Sequence, residues 1–229
     1  RIYWLLPADI AAPTVEAIGR FRLRARVNIE PSPLAVYGLL ELPEPARVGA
    51  VDLSGDSACA GGLLAARVAG DPRRAWLLAS EASELPGRVV GAGAHWELAD
   101  LRAGIPTIHA ATAGAFVPQM VNLDLLDGIS FSKGCYLGQE VVARTQHLGR
   151  IKRRMFRFRS AAATEAGETL QTPAGETAGR VVRCAPAGED WELLAVVPLD
   201  RAGGPLQLAA GGPTLTRLPL PYPVPGEPA

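Results

Sequence analysis

The segment of this chain whose residue types and spacing best suit chemistry is Lys133-Gly134-Cys135-Tyr136-Leu137-Gly138-Gln139-Glu140. A helix is expected over 141–147, stopped by Gly149, and a cysteine just ahead of a helix feels the positive end of its dipole. A lysine two residues earlier adds a second pull toward thiolate, which makes Cys135 a candidate nucleophile and Lys133 its tuning cation. Gly134 and Gly138 would let backbone approach a ligand closely. Spacing alone leaves the bland alternatives open. Free cysteine is among the most buried residue types, and Glu140 and Arg144, at i and i+4, suit an ordinary helix ion pair.

Other chemistries find no frame. The three cysteines, Cys59, Cys135 and Cys184, lack the C-x-x-C spacing of a zinc site and form an odd set for a disulfide scaffold, so a reducing cytosol is expected and no metal is assigned. His95, His109 and His147 lack H-E-x-x-H spacing, and Ser54, Ser57, Ser80 and Ser132 lie in no G-x-S-x-G elbow. Gly91-Ala92-Gly93 begins like a dinucleotide fingerprint, but Trp96 stands where the third glycine belongs.

Charge narrows the partners. With 23 basic and 23 acidic side chains the net charge is zero, which argues against wholesale binding of nucleic acid or membrane. All but two of the basic residues are arginine; Lys133 and Lys152 are the exceptions. Two windows are nonetheless purely basic. Arg20, Arg22, Arg24 and Arg26 form one; Arg144, Arg150, Lys152, Arg153, Arg154, Arg157 and Arg159 form the other, within 141–160. A solvated strand face, a polyanion contact or a carboxylate contact would each use such a window.

The elements that must position these residues follow from periodicity. A helix is expected over 7–19 and a strand over 20–27, where Phe21, Leu23, Ala25 and Val27 alternate with the four arginines and put them on one face. Short strands are expected at 36–42, 48–53, 62–69 and 75–79, with Asp71-Pro72 as a turn, and helical spacing at 84–90 and 96–103. From Ile151 onward, Phe156/Phe158, Val181-Val182, 193–197 and 206–208 suggest a small all-β domain, with the boundary near Gly149. The proline-rich end, 219–225, should be extended, docked or frayed. No signal peptide is expected in the opening residues, and the 21 residues of 103–123, free of Asp, Glu, Lys and Arg, are too polar to span a membrane because of Pro106, His109, Pro118, Gln119 and Asn122.

The run KGCYLGQE resembles the signature of the YgfZ family of folate-binding proteins, relatives of the glycine-cleavage aminomethyltransferase GcvT that serve iron–sulfur cluster assembly. Trp96, Asp100-Leu101-Arg102-Ala103-Gly104-Ile105-Pro106, Phe116-Val117-Pro118-Gln119 and Asn122-Leu123 precede it in the family's order, and the match is strongest over 96–154. The resemblance implies an α+β, GcvT-like folate-binding fold with ferredoxin-like subdomains over 1–149, lacking several tens of residues upstream of Arg1, and a C-terminal β-barrel over 150–229.

It further implies tetrahydrofolate, or another folate, held by Trp96, Gln119, Asn122, Tyr136, Gln139, Glu140 and Arg144. A pterin would stack on the Trp96 indole, and the two amides would meet its polar edge. Cys135 and Lys133 would carry the chemistry, and iron–sulfur proteins or assembly factors would be the partners. The family function is that of a cytoplasmic accessory factor outside classical enzyme chemistry, affecting tRNA thiolation through cluster enzymes. A folate-dependent aminomethyl or one-carbon transferase and a tRNA-binding protein are the alternatives. One departure stands out: Arg102 occupies the place of an acidic residue that in the transferases would pair with the pterin.

Overall fold

The computed structural model describes residues 1–85, 91, 93–136, 138–147, 151–208 and 211–227. It is a mixed α/β structure made mostly of antiparallel sheet, one sheet curling into a half-barrel. The chain divides into two compact units, 13–99 and 1–12 with 100–229, so the divisions fall inside the helices α1 (Ala8–Gly19) and α2 (Ala94–Arg102). The boundary expected at Gly149 lies outside the described residues, as do the expected stop of the third helix and the 86–90 part of an expected helix.

The 13–99 unit is built on a four-stranded sheet in the order β1 (Ala35–Leu39), β6 (Asp71–Ala79), β5 (Leu63–Val68), β4 (Ser57–Ala60), with a small hairpin of β2 (Arg47–Val48) and β3 (Val51–Asp52). Alternation places Ala75, Leu77 and Ala79 of β6 beside Leu63 and Ala65 of β5 on one face, where they form a core with Val48, Val51 and Leu53. The opposite face carries Arg74, Trp76 and Leu78.

Three expectations here are corrected. Residues 20–27 form no strand: the Phe21 and Arg22 N–H groups bond Ile18 and Gly19, the Ala25 N–H bonds Arg22, and Leu23 takes φ 44, outside the extended region. The four arginines therefore share no strand face. The alternating pattern has nothing to pack on, since Phe21, Leu23 and Val27 are all exposed. Asp71-Pro72 is not a turn but the start of β6, opposite a register shift between Arg67 and Val68, and Gly70 at φ 86 makes the turn just before it. A bulge tolerates proline because no ladder hydrogen bond is demanded of it. Finally, the strand expected at 48–53 folds back at Gly49, at φ 58, into the hairpin of β2 and β3.

The other unit carries a six-stranded sheet in the order β11 (Gln207–Leu208), β8 (Thr169–Gln171), β9 (Thr177–Ala187), β10 (Asp190–Pro198), β7 (Arg153–Ser160), β12 (Thr216–Leu218). Its concave face gathers Phe156 and Phe158 with Leu170, Val181, Leu193, Ala195, Val197 and Leu206. Between its edge strands, an isolated bridge joins Gln207 to Thr214, and the Leu215 N–H bonds the Leu206 carbonyl at 2.8 Å. The proline-rich end is docked, not frayed: Val224 is buried in this core, and the Tyr222 hydroxyl donates to the Gly104 carbonyl at 2.7 Å.

Two buried ion pairs tie loops to this sheet. Arg154 grips Asp124 through both guanidinium arms, at 2.6 and 2.8 Å, and donates to the Gln119 carbonyl at 2.8 Å. Arg183 on β9 bonds Asp100 at 3.0 Å and the Thr107 hydroxyl at 2.5 Å. Burying such charges is costly, and removing one partner strands the other. Asp124→Asn is therefore expected to destabilise the protein by about 3–5 kcal/mol, read as a fall in the denaturant midpoint.

Burial pushes the Tyr222 phenol from its ordinary 10.0 up to about 12. Folding thus favours the neutral phenol. Its contribution is complete below the unfolded value of about 10 and is lost as pH rises through about 12, at most about 3 kcal/mol. Stability should fall across that window in the native protein, and the fall should be shallower in Tyr222→Phe, as a pH series of urea melts would read.

Candidate functional site

The KGCYLGQE run forms a surface loop running into α3 (Gln139–His147). Lys133, Gly134 and Cys135 are exposed and Tyr136 is half-buried; Leu137 lies outside the described residues. The loop is tied from within. Gln139, the first residue of α3, accepts the Tyr136 N–H on Oε1 at 3.3 Å, and Gly138 takes φ 81, the left-handed conformation that glycine adopts without steric cost. The Lys133 ammonium lies 4.3 Å from the centre of the Tyr136 ring, so its partner in this geometry is the phenol face. Cys135 is thus presented to solvent four residues ahead of the helix. The inert buried thiol is excluded for it, while Cys184 is half-buried and bonds the Thr164 carbonyl at 2.9 Å.

Gln119 and Asn122 sit on a 3-10 turn, Pro118–Val121, and at its end, three residues apart and hence on one face. Both are wholly buried. The Gln119 amide donates to the Val142 carbonyl at 2.7 Å and so ties the turn to α3, and the Asn122 amide donates to the Met155 carbonyl at 2.8 Å on β7. Their carbonyl oxygens, Gln119 Oε1 and Asn122 Oδ1, are buried and accept no hydrogen bond from the described residues. Two such acceptors side by side are uncommon in a folded interior.

Trp96 belongs to the 13–99 unit and is 8% exposed. Gly38 of β1 stands opposite Trp76 of β6, and the missing side chain leaves a slot that the Trp96 ring fills. The Trp76 and Trp96 ring centres are 4.1 Å apart at 49°, and the Arg74 guanidinium lies 4.6 Å over the Trp96 ring. Its indole is packed, and stacking against a pterin requires one of these neighbours to give way. Sequence reasoning missed Gly38 and Trp76 as partners of Trp96, since no local signal links positions so far apart in the chain.

Glu140 and Arg144 lie on an exposed side of α3. Arg102 turns to Glu192 on β10, donating to one carboxylate oxygen from Nε at 3.2 Å and from a second nitrogen at 2.9 Å. Arg157 approaches the other oxygen of Glu192 at 3.9 Å, and Arg159 stands 3.9 Å from Asp190. Burial lowers the Arg157 pKa from its ordinary value, with Glu192 opposing the shift. With Arg154 held by Asp124, three cations of the 141–160 window already face carboxylates. Arg150 lies outside the described residues; Arg144, Lys152 and Arg153 are exposed, as is Arg159 beside Asp190.

No protein-family model matches the chain.

The slot in β1 has a measurable consequence. A methyl group built on Gly38 would stand 2.1 Å from Trp96 Cε3. Gly38→Ala should therefore cost about 1–3 kcal/mol and change the near-UV dichroism of the tryptophans. A variant as stable as the parent, with the same spectrum, would contradict this packing.

Proposed function

We propose that this protein is a tetrahydrofolate-binding accessory factor of GcvT-like fold, with a closing β-barrel, that supports assembly or maintenance of iron–sulfur clusters, and that Cys135 is its reacting residue. The observation that carries the reading is the contiguous run Lys133 to Glu140 together with the placement of its thiol: exposed, ahead of α3, in a loop closed by Gln139. A mixed α/β architecture with a curled C-terminal sheet agrees with it at the level of fold class.

The residues assigned to folate fit unequally. Gln119 and Asn122 have the right chemistry, because a pterin edge is rich in N–H donors and their two carbonyl oxygens lack any. Both amides are fully buried, so a pterin meets them only by displacing what covers them. Trp96 fits less well, its ring being enclosed by Gly38, Trp76 and Arg74. Folate, when bound, supplies the nitrogens that carry one-carbon groups. The chain's own part is to orient the pterin by its amides and to present the Cys135 thiol at the surface. A transferase reading needs a carboxylate at the folate's reactive nitrogen, and Glu192, the acid beside Arg102, is taken up by two arginines.

Titration calorimetry of the full chain with tetrahydrofolate should show saturable binding. Cys135→Ala should keep that affinity and the thermal stability while failing to support cluster-dependent enzymes in cells. Absence of tetrahydrofolate binding defeats the folate reading, and normal cluster-enzyme activity in the alanine variant defeats the thiol role.

A further inference from the structure

The C-terminal residues make a strap whose last turn forms one wall of an open cavity on the half-barrel unit. Val224 is 5% exposed and anchors the strap in the core. Gly226, at φ 78, turns the chain, and the Glu227 N–H bonds the Val224 carbonyl at 3.2 Å. This turn delivers the Glu227 carboxylate to Arg217 of β12. The same guanidinium lies 4.5 Å from the centre of the Phe156 ring and donates to the Ala202 carbonyl at 3.4 Å. Beside it lies a cavity of about 380 Å³ lined by Phe156, Arg217, Leu218, Pro219, Leu220 and Glu227.

A volume of this size suits a small molecule, and the lining combines apolar walls with a single cation. Arginine's planar fork recognises carboxylates through two parallel N–H donors. Glu227 uses only one arm, and the second is left on the long contact to Ala202. The Arg217 and Glu227 side chains are 26% and 38% exposed, and exposed pairs of this kind are weak. Glu227 thus holds the place of a carboxylate that could be bound better.

We propose that this cavity is a binding site for a small monocarboxylate with a flat, apolar body, which takes Arg217 from Glu227 and releases the C-terminal turn. The apolar body fills the space between Phe156, Leu218 and Leu220, contacts that the Glu227 side chain does not supply. The site is independent of the folate reading, because it involves neither the Cys135 loop nor the buried amides.

Benzoate, titrated into the isotopically labelled full chain and followed by amide NMR, tests it. The amides of Arg217, Leu218, Leu220 and Glu227 should shift saturably. Glu227→Gln should bind up to about fivefold tighter, since the internal competitor is gone. Arg217→Met, which keeps an apolar stem over Phe156, should lose the saturable shift. If that variant does not fold, Arg217→Lys keeps the charge without the fork and should bind several-fold more weakly. No saturation by about 10 mM benzoate overturns the site, as does parental affinity in the Arg217 variant that folds. Unchanged affinity in Glu227→Gln overturns the competition. Benzamide or inorganic phosphate moving the same amides equally well overturns the carboxylate class.

Discussion

A guanidinium leaves water only if acceptors meet it, and the placement of three buried arginines expresses that constraint throughout this structure. Arg154 draws in Asp124 and the carbonyl of Gln119, which holds the 3-10 turn against β7. Arg183 draws in Asp100 and Thr107, which holds the end of α2 and the following loop against β9. Arg74 bonds Asp71 at 2.9 Å, three residues back on its own strand. Apolar burial supplies most of the drive to fold, but it is non-directional. These pairs supply the direction. The Arg154 and Arg183 pairs decide which loop lies over which strand, and the candidate site inherits its geometry from the first, since Gln119 and Asn122 stand on the turn that Arg154 fastens.

The sequence made the strongly periodic elements legible. Phe156 and Phe158 alternate with arginines and become β7; the apolar run 193–197 becomes the centre of β10; α2 and α3 form where their spacing places them. Where periodicity misled, the missing ingredient was a surface to pack on. Residues 20–27 alternate cleanly, yet nothing covers Phe21 or Leu23, and a strand without a neighbour gains no ladder. The strand β4, Ser57–Ala60, carried too little side chain to announce itself and exists through its pairing with β5.

The candidate site was legible to the extent that it is local. A loop, its glycines and the first turn of the helix that follows are contiguous in sequence, so the presentation of Cys135 could be anticipated. Lys133 shows the limit even of local reading: proximity in sequence suggested the thiol, and the Tyr136 ring took the ammonium. Long-range electrostatics were not legible. Arg154 and Asp124 are 30 residues apart and Arg102 and Glu192 are 90 apart. An unbroken basic window therefore reads as an open anion surface until the sheet folds acids onto it.

The crossing of Trp76 and Trp96 carries one more consequence. Two indoles with centres 4.1 Å apart and planes tilted by 49° couple their electronic transitions, and the coupling has a sign set by their relative handedness. Both belong to the 13–99 unit, and the slot left by Gly38 holds them together. That unit accordingly has its own chiroptical signature, an exciton couplet in the far ultraviolet that no other tryptophan of this unit contributes to. Its packing can be followed by that couplet without adding a label or perturbing the half-barrel.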